Sequence, residues 1–216
     1  MQGQAKYNFT LLDRLYDGIL AAGVKPIVEL SFMPEAIADC KPGKCPTVMH
    51  YRGIKAHPKT WQMWGDLVHT FVSHLVARHG LEEVISWRFE VWNELWGMDF
   101  GDGGKDSPYM NLYNASYHAI KAVSPRLSVG GPATAELEDV SAFIAAMDAW
   151  GIGSGPPDFV STHSYPTDAC NSRPDARSRL DCFTDGIVAA RKEALGHTFL
   201  MTVRTEAVGE MMSAWV

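Results

Sequence analysis

Basic charge is in short supply. Lys and Arg number 19 against 25 Asp and Glu, a formal net charge of −6. No basic face is evident that could neutralise a row of phosphates, which argues against a nucleic-acid partner. Long hydrophobic runs are missing too, and no apolar stretch approaches the roughly 18 residues that a membrane span needs. The opening Met1-Gln-Gly-Gln-Ala-Lys6 has no apolar core after its charge, so it does not read as a signal peptide. Either the protein is intracellular or its natural N-terminus lies outside this sequence. There is no Gly-x-Gly-x-x-Gly, no Walker phosphate loop, no His-x-x-x-His pair of the kind that holds zinc on a helix, no solenoid repeat and no low-complexity segment.

Cysteine is scarce, with four in 216 residues, but its placement is local. Cys40 and Cys45 bracket Lys-Pro-Gly-Lys, a turn-forming sequence that can bring the two thiols into bonding range. Cys170 and Cys182 bracket a polar loop. Two small disulfides in an oxidising compartment fit this arrangement, with free thiols as the alternative, and the spacing matches no common zinc pattern. The triplets Asn8-Phe-Thr10 and Asn114-Ala-Ser116 permit N-glycosylation. Together these features favour a secreted or lysosomal protein.

The 216 residues are enough for one sizeable core, and no interdomain linker interrupts them. Residues 1–216 are therefore read as a single domain. Helical and strand patterns alternate along it. Residues 9–22 carry Leu12, Leu15, Tyr16, Ile19 and Leu20 on one face, with Gly23 as the stop. A strand at 26–32 follows, then a long loop holding Glu35 and the first cysteine pair. A helix over 58–79 repeats Trp61, Trp64, Leu67, Val68, Phe71 and Leu75, with Gly80 closing it. Further strands are expected at 85–92, 127–131, 158–164 and 197–202, and further helices from Ser107-Pro108 to Ser124-Pro125, over 137–150 and over 180–195. Five strands separated by helices call for a parallel sheet with helices outside it. A doubly wound open sheet would ordinarily bring a Gly-rich loop after its first strand, and Ser31-Phe-Met-Pro-Glu-Ala36 stands there instead.

Ser86-Trp-Arg-Phe-Glu-Val-Trp-Asn-Glu94 is the most informative segment. An apolar strand ends in Asn93-Glu94, and in a parallel barrel the C-terminal ends of strands open into the active site. A carboxyl group there can protonate a leaving oxygen, an amide can hydrogen-bond a sugar hydroxyl, and Trp92 and Trp96 can stack on a sugar face. The plainer reading is a surface Glu in a turn with Asn93 as a helix cap. His163-Ser-Tyr165-Pro166 ends a later strand and suits a substrate contact, against a structural hydrogen bond. Of the remaining aromatics, Phe32, Phe100 and Tyr165 included, Trp96 and Tyr165 are kept as sugar contacts. His57-Pro58 begins a helix beside the expected cleft. Glu29 and Glu90 lie inside strands, and structural pairs facing the helices are favoured over orientation of catalytic groups. Glu35 reads as a solvated turn residue.

These blocks give the chain a resemblance to glycoside hydrolase family 39, whose best-known members are β-xylosidases and α-L-iduronidases. Tyr7-Asn-Phe-Thr10 through Phe32-Met-Pro-Glu-Ala36, Trp87 to Glu94, Val129-Gly-Gly-Pro132 and Phe159 to Pro166 carry it, in family order over nearly the whole chain. The resemblance implies a (β/α)8 TIM barrel of α/β class. It also implies that the chain starts at the second barrel helix and stops soon after the seventh strand, with the first two strands and the last not visible. It makes Glu94 the general acid/base and Asn93 the amide on the substrate 2-hydroxyl of a retaining hydrolase, whose acid is helped by desolvation against Trp92. The nucleophile is expected directly after Thr202, where Val203 stands. Glu206 is the nearest alternative carboxylate, and Glu210 is another. The expected activity is β-xylosidase-like hydrolysis of an oligosaccharide or glycoside, without metal or cofactor. An α-L-iduronidase-like enzyme and a non-catalytic or truncated sugar-binding relative are the alternatives.

Overall fold

A computed structural model gives the architecture over residues 6–48, 52–94, 107–135, 140–150, 156–163, 179–194 and 200–204. The first helix, α1 (Thr10–Ala21), buries Leu12 and Tyr16 and ends before Gly23, whose φ of +75° a side chain would resist. Strand β1 (Ile27–Leu30) follows. The long loop after it contains something the sequence reading missed, a small antiparallel hairpin of β2 (Thr47–Val48) and β3 (Gly53–Ile54). Each strand is only two residues long, too short for any alternating pattern to register. Helix α2 (Trp61–His79) begins where Thr60 Oγ1 accepts the Met63 N–H at 3.2 Å. It buries Trp64, Leu67, Val68, Phe71, Val72 and Leu75, while Trp61 stays half-buried. Gly80, at φ +85°, turns the chain into a second missed element, the one-turn helix α3 (Leu81–Val84).

The remaining elements fall close to expectation. They are β4 (Arg88–Val91), α4 (Pro108–Val123), β5 (Ser128–Thr134), α5 (Val140–Trp150), β6 (Phe159–His163), α6 (Arg179–Ala194) and β7 (Leu200–Arg204). The proline of α4 sits in its first turn, where the missing N–H costs nothing. Five strands form one sheet in the order β1-β4-β5-β6-β7, every pairing parallel. Between these strands the chain crosses back through helices, as parallel pairing requires. The sheet is α/β and, among the described residues, not closed.

Register decides which side chains share a face. Glu29 pairs with Glu90, Glu90 with Gly130, and Gly130 with Phe159. Paired residues of a parallel sheet point to the same side, and steps of two along β6 carry that side to Ser161 and His163. Glycine at 130 is needed at this crossing, because a Cβ there would collide with the Phe159 carbonyl oxygen and ring. On the other side, Phe89 and Val91 are fully buried in the apolar core. Helices α2 and α4 pack together, and Trp64 Nε1–H donates to the buried Ser116 Oγ at 2.8 Å. The Asn114 triplet therefore lies inside a helix with its serine committed to packing. Asn8 is exposed, and its Oδ1 accepts from both Thr10 N–H and Oγ1–H.

Cys40 and Cys45 form a disulfide with Cα atoms 5.2 Å apart, as their spacing suggested. Cys170 and the side chain of Cys182 lie outside the described residues. Among the described residues no helix is long and apolar enough to cross a membrane.

Candidate active site

Polar groups converge at the C-terminal ends of β4 and β6. Glu94 follows β4 and is 8% exposed. Its backbone is held by a 2.8 Å hydrogen bond from its N–H to the carbonyl of Ala133, the residue at the bulge in β5. Trp92, Glu94 and Ala133 all adopt positive φ, at +70°, +45° and +54°. Such conformations cost non-glycine residues about 1 kcal/mol or more each and collect where surrounding structure imposes them, often at functional sites. Here they turn the strand ends so that Glu94 faces His163.

The imidazole of His163 stands between two carboxylates. Nδ1 lies 3.2 Å from Glu94 Oε1, and Nε2 lies 3.5 Å from Glu90 Oε2. All three groups are buried. Burial alone would discharge the ring. Hydrogen bonds to Glu90 and Glu94 outweigh it, joined by the negative charges of Glu90 and Glu29, and His163 is lifted to about 10. The ring is thus an imidazolium at neutral pH and donates from both nitrogens. Glu29 completes the floor of the cluster and accepts from Ser31 Oγ–H at 2.5 Å. Glu29, Glu90 and His163 each bring a ligand-type atom within 4.8 Å of the others.

The expected residues fare unequally. Glu94 and His163 are brought together, and Asn93 sits half-buried directly before Glu94. Trp92 is not a sugar platform. It is fully buried, edge-on to Phe32 at 5.5 Å and to Trp64 at 6.4 Å between ring centres. Phe32 is likewise core, held under the β2–β3 hairpin at Gly53. Glu90 does not make the helix-facing pair favoured from sequence. It is 1% exposed and faces His163. No local signal marked its side: β4 ends at Val91, and Trp92 and Glu94 leave strand geometry with positive φ. Glu35 accepts the Gly43 N–H at 2.6 Å and ties the disulfide loop rather than the site. His57 accepts the Asp39 N–H through its carbonyl and packs tilted at 40° against Trp61, the first residue of α2, so the helix begins four residues after it rather than at it. Trp96, Tyr165, Glu206 and Glu210 lie outside the described residues. Val203 is within β7, paired in register with Thr162.

Comparison with known proteins adds an independent line. Residues 1–177 match the model of the family described as Glycosyl hydrolases family 39. Over 167 residues the chain is 42% identical to a beta-xylosidase of Caldicellulosiruptor saccharolyticus, covering 77% of this chain and 33% of that protein. Identity to the alpha-L-iduronidase of Homo sapiens is lower, 31% over 127 residues, covering 58% of this chain and 17% of that protein. A solved GH39 beta-xylosidase from Caulobacter crescentus superposes with a TM-score of 0.74 at 34% identity, over 95% of this chain and 42% of that one. The chain spans about a third of the length of the curated beta-xylosidase it matches.

Proposed function

The chain belongs to glycosyl hydrolases family 39, and on that premise we propose that it cleaves O-glycosidic bonds with retention, a β-xyloside being the substrate. The observation that carries this reading is Glu94, a buried carboxyl at the C-terminal end of β4, preceded by Asn93 and hydrogen-bonded to His163. The α-L-iduronidase-like alternative has less behind it, since relatives of that name are less similar.

In the first step Glu94 gives its proton to the glycosidic oxygen while a carboxylate attacks the anomeric carbon, so the leaving group departs as an alcohol. Glu94, now ionised, takes a proton from water in the second step, and the hydroxide displaces the carboxylate from the sugar. Asn93 holds the 2-hydroxyl, and Trp96 and Tyr165 contact the sugar. Glu206, beyond β7, supplies the attacking carboxylate. His163 orients Glu94 more than it touches substrate, because both its nitrogens face carboxylates. We read the five strands as an arc of a (β/α)8 barrel. Apart from the local hairpin, their order in the sheet is their order in the chain. A doubly wound sheet would reverse that order at a switch point. The Cys40–Cys45 bond supports an oxidising, secreted or lysosomal setting.

One observation favours a second reading, a sugar-binding relative that does not cleave. Val203 stands where the family resemblance places the nucleophile. Hydrolysis of aryl β-xyloside, β-glucoside and α-iduronide by the purified, folded chain separates the two. Turnover of the β-xyloside is expected, falling about 10²- to 10⁴-fold in Glu94→Ala. No turnover of any glycoside, with binding of xylosides retained, would leave the second reading.

A further inference from the structure

We propose that Glu90 is a positioning residue for Glu94, acting through His163, and that the Glu90–His163 pair serves Glu94 as a neutral but strong hydrogen-bond donor. This rests on the acid/base role proposed for Glu94.

The geometry supplies the argument. An imidazole has two nitrogens, and when neutral only one carries a proton. A ring facing Glu94 alone could therefore present either a donor or a lone pair to it. Glu90 removes that ambiguity. It sits on the opposite side of the ring from Glu94, reaching Nε2 at 3.5 Å while Glu94 meets Nδ1 at 3.2 Å. Glu90 fixes a proton on Nε2 and its charge favours the doubly protonated ring, so Nδ1–H points toward Glu94 in either of that group's ionisation states. As Glu94 loses its proton to the leaving group, this contact becomes charge-assisted and strengthens. The charge on Glu90 has a second effect. A lone imidazolium beside Glu94 would hold that group ionised and unable to act as an acid. Glu90 offsets the positive charge, so Glu94 is free to take up a proton again.

Among the described residues, the titratable groups near the pair come from three elements. Glu29 comes from β1, Glu90 and Glu94 from β4 and its end, and Tyr109 of α4 lies near enough to Glu90 that the carboxylate adds to the effect of burial in raising the phenol. From β5 the facing strand offers Gly130, Gly131 and Pro132, none of which titrates. On β7, Arg204 is the backbone register partner of His163.

The test substitutes Glu90→Gln, which keeps shape and removes charge, and follows the His163 ring nitrogens by NMR across about pH 6 to about pH 9. The wild-type ring is expected to keep both protons over that range, and the variant to lose one within it. Steady-state kinetics should show kcat down on the order of tenfold to a hundredfold with KM little changed, as a slightly misdirected acid would give. The alkaline limb of the pH–rate profile should move as well. A wild-type His163 that titrates near its ordinary value overturns the proposal, and that result needs no variant. So does a folded Glu90→Gln chain whose His163 and kcat are unchanged. The NMR readout does not require turnover. A chain that holds both ring protons but hydrolyses nothing therefore refutes the enzymatic reading and with it the catalytic purpose of the pair. A chain that hydrolyses normally with Glu90→Gln refutes the proposal alone.

Discussion

His163 concentrates the residue-level physics of this protein. Its proton is held up to about 10 in the folded chain, against about 6.5 when exposed in the unfolded one. A group raised on folding stabilises fully below its unfolded value and loses that contribution as pH climbs toward its folded one. The urea midpoint should therefore fall steadily from about pH 6.5 to just below pH 10, and the fall should be shallower in His163→Gln. A slope identical in the two proteins would show that the imidazole is not charged in the fold. Above that window the buried phenols of Tyr16 and Tyr109, both raised chiefly by burial, add their own losses, so the comparison is made beneath it. The place of Glu94 at the end of β4 was legible in the sequence because a polar pair ending an apolar strand is conspicuous. Glu90 was not, because a glutamate inside a strand carries no mark of which side it faces until its neighbours' register is known.

Among the elements, the crossing of β4, β5 and β6 sets the site, and glycine permits it. Gly130 lies between Glu90 and Phe159, and a Cβ there meets backbone oxygen that cannot swing aside. Gly130→Ala is expected to cost about 2 kcal/mol or more and to lower the chemical denaturation midpoint. It should also reduce the proposed hydrolysis by the surviving folded fraction, since β6 carries His163. Retained stability would mean that the strands separate more easily than their register implies. Helices α1, α2 and α4 and strands β1 and β4 were readable from their apolar patterns. The β2–β3 hairpin and α3 were not, being shorter than the period that would reveal them.

For the molecule as a whole, β4, β5 and β6 each have hydrogen-bonded neighbours on both sides, whereas β1 and β7 lie at the margins of the described sheet. Amide hydrogen exchange measured by mass spectrometry should be slowest in β4, β5 and β6 and faster in β1. Equal protection in β1 would indicate a further strand or partner against that edge. The alternation of strand and helix along the chain determined the α/β class, because each segment carries its own apolar period and its own stop signals. The same local reading placed a carboxyl group at the end of β4 and found the Cys40–Cys45 turn, each contiguous in sequence. The union of Glu94 with His163 and Glu90 depended on the fold. These groups lie up to 73 residues apart, and parallel register with positive-φ turns at the strand ends brings them to one point. The burial of Trp92, which sequence had offered as a sugar platform, was likewise settled by packing, since an indole's surroundings are made by Phe32 and Trp64 from other elements.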